Sequence, residues 1–122
     1  MFRLKQQAIY LDALDQIAKS AGYQGTATAW NKETEQQQTC GWQKYLDDSH
    51  YVEVFLDFAD NGYANDPTAS EWTAGLWRET ADELTSISAL ATGLSALDAF
   101  RRANELAEQF LANLEPATKK SH

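Results

Sequence analysis

Three constellations in this chain have the residue types that chemistry requires. Cys40 and His50 are a thiol and an imidazole ten residues apart. Folded within hydrogen-bond reach, they would make a nucleophile and its base. No local signature surrounds either residue, and a bystander thiol is the simpler reading. Zinc would need two carboxylates besides Cys40 and His50 to complete four ligands, because the other histidine, His122, ends the chain. The segment from Asp57 through Asp60, Asn61 and Gly62 to Thr68 has the outline of a calcium loop. Counted from Asp57, Gly62 falls at the turn position, but Ala59 and Thr68 stand where oxygen ligands belong. No metal, no cofactor and no enzymatic activity are therefore expected.

The third constellation is the acid distribution. Ten of eighteen Asp and Glu residues lie between Asp47 and Glu83, with Arg78 the only Lys or Arg among them. That stretch alone accounts for the net charge of −8, because the flanking segments are close to balanced. A local field of this sign attracts a basic protein surface and repels nucleic acid and anionic membrane. Asp57, Asp60, Glu79 and Asp82 are the expected partner-binding carboxylates. Trp42 and Tyr63 are their apolar anchors, since an exposed aromatic residue beside charge is typical of an interface hot spot. Glu83 falls inside an apolar stripe at helical spacing, which predicts a half-buried carboxylate.

The elements that would position these residues read as helical. Val and Ile total five residues against nineteen Ala, a composition that disfavours sheet. A first helix is expected over 4–21, with Tyr10, Leu11, Leu14, Ile17, Ala18 and Ala21 inward, an Asp15–Lys19 pair outward and Gly22 as its stop. A polar helix over 31–46 is favoured against a hairpin turning at 32–35. Residues 50–61 fit a helix slightly better than a strand, although Val52, Val54, Leu56 and Phe58 alternate. Asp66 and Pro67 open a long helix to Thr92, with Trp72, Leu76, Trp77, Leu84, Ile87, Leu90 and Ala91 inward. Ser95 caps the last helix, whose inward face is Leu97, Phe100, Ala103, Ala107, Phe110, Leu111 and Leu114.

The expected fold is thus mainly α, a small helical bundle ending in an antiparallel helical hairpin. The alternative is an α+β fold with a hairpin or meander within 23–58. Residues 1–115 form one domain and 116–122 a flexible tail. A single cysteine allows no intrachain disulfide, and no window suits a signal or membrane span, so a cytoplasmic location is expected. The segment Ser70-Glu71-Trp72-Thr73-Ala74-Gly75-Leu76-Trp77-Arg78-Glu79 resembles the Trp-x-x-Gly-aromatic stretch of the ribosome modulation factor family. Leu76 separates Gly75 from Trp77 where that family has them adjacent. The family is basic and binds ribosomal RNA, whereas this segment is acidic, and no residue's role carries over.

The functional expectation is a non-enzymatic acidic protein that docks on a basic surface of a protein partner, without binding nucleic acid or membrane. One form is a DNA-mimic inhibitor from a phage or mobile element. A toxin-neutralising immunity protein and an acidic secretion chaperone are the alternatives.

Overall fold

A computed structural model describes residues 2–31, 36–57 and 66–120. Its elements run α1 (Phe2–Ser20), β1 (Gln24–Asn31), β2 (Gln36–Tyr45), β3 (His50–Leu56), β4 (Trp72–Glu79), β5 (Leu84–Ser86), β6 (Ala91–Leu94) and α2 (Ala96–Lys120). The strands make one antiparallel sheet in the order β1-β2-β3-β4-β5. The outer edge of β4 is shared: β5 pairs with Trp77–Glu79, and β6 pairs around Trp72 and Ala74. Both helices cover one face, α1 over β1 and β2, α2 over β3, β4 and β6.

The mainly helical expectation is overturned by this sheet. Alternation decided the structure of 50–56: Val52, Val54 and Leu56 face the helices and are fully buried. β1 and β2 pair as an antiparallel hairpin in place of the 31–46 helix, with Asn31 opposite Gln36. The long helix expected over 66–92 is β4, β5 and β6. Along β4, Trp72, Ala74 and Leu76 face the helices, while Thr73 and Gly75 are buried on the opposite face. A central strand with buried residues on both faces reads as an apolar run, and such a run can be mistaken for a helical stripe. Leu84, Ile87 and Leu90, expected inward, are exposed. Asp66 caps no helix; its carboxylate accepts the Thr68 amide and hydroxyl in a local turn.

The helix ends follow their residues. Gly22, at φ 91°, closes α1, and the Tyr23 amide reaches back to the Ala18 carbonyl at 2.9 Å. Ser95 Oγ accepts the Asp98 amide at 3.2 Å at the start of α2. Asp15 and Lys19 pair at 2.9 Å as expected, and on α2 Arg101 pairs with Asp98 and Arg102 with Glu105, each three residues apart. α2 runs on to Lys120.

The core lies between the helices and the sheet. Trp42 stacks on Trp72 at 5.8 Å and tilts against Phe100 at 5.5 Å. Ala96, Ala99, Ala103 and Ala107, at three- and four-residue spacing, share the buried face of α2 with Phe100 and Leu106, whereas Leu97 and Leu111, expected inward, are exposed. The small alanine side chains let that helix approach a sheet face crowded by two indoles. In the second layer of contacts, Gly41 leaves no room: a Cβ there would lie 3.0 Å from the Ala27 Cβ and 3.4 Å from the Phe55 Cβ. Those atoms are fixed to backbone and cannot rotate away. Gly41→Ala is expected to lower the urea unfolding midpoint by an amount equivalent to about 1–3 kcal/mol.

Candidate partner-binding surface

The β2–β3 turn (46–49) and the β4–β5 turn (80–83) lie at the same end of the sheet, because His50 pairs with Arg78. The Glu79 amide donates to the Ser49 carbonyl at 2.7 Å and joins the two turns. Each turn is held by its own residues. The Asp47 carboxylate accepts the Ser49 amide at 2.9 Å and the His50 amide at 2.7 Å, and His50 Nδ1 lies 2.9 Å away. The Ser49 amide, with the His50 ring, holds the Asp47 carboxyl below its ordinary value. Across the gap, the Thr80 amide donates to the Glu83 carbonyl and Thr80 Oγ1 accepts the Glu83 amide.

Asp47, Asp48, Glu79, Asp82 and Glu83 thereby gather at one end of the molecule, and all five are exposed. Alternation sends Glu79 to the sheet face that carries no helix and Arg78 to the other. Tyr45 donates its hydroxyl to Glu79 Oε1 at 3.3 Å, and Leu84 pairs directly with Glu79. Tyr45 and Leu84 are exposed, so the carboxylates have an apolar border on the open face. Tyr45, Tyr51 and Trp77 follow in one row across β2, β3 and β4, the two tyrosine rings 5.2 Å apart.

The expected site residues separate. Glu79 and Asp82 come together. Asp57 lies at the opposite end of β3, where Leu56 pairs with Trp72, and its carboxylate accepts the Thr73 hydroxyl at 2.9 Å. Asp60 and Tyr63 fall outside the described residues, as does most of the calcium-loop segment. Trp42 is no surface anchor: it is fully buried and donates its Nε1 hydrogen to Asp15 at 2.8 Å. Cys40 and His50 lie toward opposite ends of the β2–β3 hairpin, and burial pushes the Cys40 thiol up to about 11. Glu83 is exposed, contrary to the half-buried position its helical angle predicts. A half-buried carboxylate is found instead at Glu53, beside Gly75 on the sheet face opposite the helices. Its signal was the alternation of Tyr51, Glu53 and Phe55 on the second face of a central strand.

Burial raises the Glu53 carboxyl above its ordinary 4.5. No ion pair or hydrogen bond to it occurs among the described residues. The folded chain therefore holds this proton more tightly than the unfolded chain. Its contribution to stability is fully present below pH 4.5 and is lost as pH rises through the elevated value. Glu53→Gln is expected to raise the urea midpoint at pH 7, and the gain should disappear when unfolding is measured at pH 4.

Among the described residues no helix is long and apolar enough to cross a membrane. No protein-family profile matches the chain, and no match was found among curated proteins or solved structures.

Proposed function

We propose that this protein is a non-enzymatic acidic docking module whose turn end engages a basic surface of a protein partner. The observation that carries this reading is the Glu79–Ser49 hydrogen bond, which brings carboxylates from two stretches some thirty residues apart to one place. The charge is therefore focused and not spread over the chain. Five exposed carboxylates with Tyr45 and Leu84 at their border offer what a Lys/Arg-rich patch with a hydrophobic centre requires. A nucleic-acid-binding protein is the most concrete partner of this kind, with the carboxylates standing where phosphates would.

Immobilised protein, exposed to lysate and eluted with a salt gradient, tests the reading. The expected result is a basic partner released at moderate salt, lost when Glu79, Asp82 and Glu83 become amides, and displaced by duplex DNA. A partner retained at high salt and indifferent to those substitutions would point to a buried apolar interface and overturn it.

A further inference from the structure

A cavity of about 300 Å³, lined by Ala27, Cys40, Glu53, Phe55, Leu56 and Asp57, lies toward the end of the sheet opposite the acidic turns. We propose that it binds a small organic diammonium, one cationic end at Glu53, the other at Asp57 and the apolar middle against Phe55. The assignment does not rest on the docking reading, because it uses neither acidic turn.

Residues 53, 55 and 57 alternate onto one face, so an aromatic ring stands between two carboxylates. Four residues of extended chain span about 13 Å between the Cα atoms of Glu53 and Asp57. That is too far for both to hold one metal ion, and it suits a ligand with separated charges. The other walls carry no charge. The Cys40 and Leu56 side chains alternate toward the helix side of the sheet, so neither adds a charged group beside the two carboxylates. Thr73 fixes the Asp57 carboxylate through its hydroxyl. Glu53 has no such partner among the described residues, and a half-buried anion left unpaired costs free energy. An ammonium group supplies three donors to it, and the ring face of Phe55 favours a neighbouring cation. The volume is at the small end of ligand sites, which fits a short diamine.

Titration calorimetry with putrescine, cadaverine and spermidine tests the assignment, with butylammonium, magnesium chloride and Nα-acetyl-lysine methylamide as comparison ligands. The expected result is saturable one-to-one binding of a diamine, about tenfold or more tighter than butylammonium. Glu53→Gln and Asp57→Asn should each weaken it by about tenfold or more, and Asp82→Asn should leave it unchanged. Because Glu53→Gln is expected to stabilise the fold, a loss of binding there cannot come from unfolding. Absence of saturable heat at millimolar diamine, an equal loss with Asp82→Asn, or tighter binding of magnesium or the lysine amide would each overturn it.

Discussion

Trp42→Ala is expected to lose about 3–5 kcal/mol of stability, the range for removing a buried indole. Domains of this size have only about 5–15 kcal/mol in total. The thermal midpoint should fall by roughly 10–20 °C. The cost has three sources in one side chain. Trp42 fills the space between Trp72 and Phe100, and Ala in its place leaves a cavity that neither ring can close by rotating within a packed core. Its Nε1 hydrogen also satisfies Asp15. Burial pushes the Asp15 carboxyl up, but the bonds from Trp42 and Lys19 outweigh it and hold the group below its ordinary 3.8.

Trp42→Phe separates these contributions. It keeps most of the packing and removes the donor, and should cost about 1.5–3 kcal/mol. A depressed carboxyl contributes stability above its unfolded value that is lost as pH falls through the folded value. The deficit of Trp42→Phe should therefore shrink when unfolding is followed by fluorescence below pH 3.8. A variant that unfolds normally but fails to bind a partner would restore Trp42 as a surface anchor and contradict its burial.

Replacing Glu79, Asp82 and Glu83 with amides is expected to slow association with the basic partner by about ten- to a thousandfold at low salt. Dissociation should change far less. Exposed carboxylates act at a distance, through the encounter, while the apolar contacts of Tyr45 and Leu84 govern separation. Near physiological ionic strength the screening length is about 8 Å, so the difference between variant and parent should narrow as salt is added. Stopped-flow or surface-based kinetics at two salt concentrations would measure it. The same substitutions should leave the unfolding midpoint nearly unchanged, because these side chains are exposed. An effect confined to the dissociation rate would mean that the carboxylates make desolvated contacts and do not steer.

Both predictions concern residues singled out in the sequence, and their outcomes differ for a structural reason. The exposure of Glu79 and Asp82 was legible because charge is solvated: an acidic turn remains at the surface whichever element carries it. Trp42 was not, because its neighbours Gln38, Gln43 and Lys44 made its segment read as polar and helical. In the strand, Gln43 takes the face opposite the helices and Lys44 lies at the strand end, and Cys40 and Trp42 are buried inward.

The sequence by itself determined what depends on near neighbours. It specified α1 with its Gly22 stop, the Ser95 cap of α2, the Asp15–Lys19 pair, and an acid excess confined to 47–83. Each of these is settled by groups within a few residues of one another. Tertiary structure alone decided that β1 to β6 form one sheet. Low Val and Ile content argued against strands, but β-propensity is dominated by cross-strand and facing contacts that a single sequence does not display. Trp72, Ala74 and Leu76 became strand residues because β3 and β6 flank them and the alanine face of α2 covers them. The acidic turn end has the same origin: residues near 48 and near 80 meet only because β3 and β4 run antiparallel in one register.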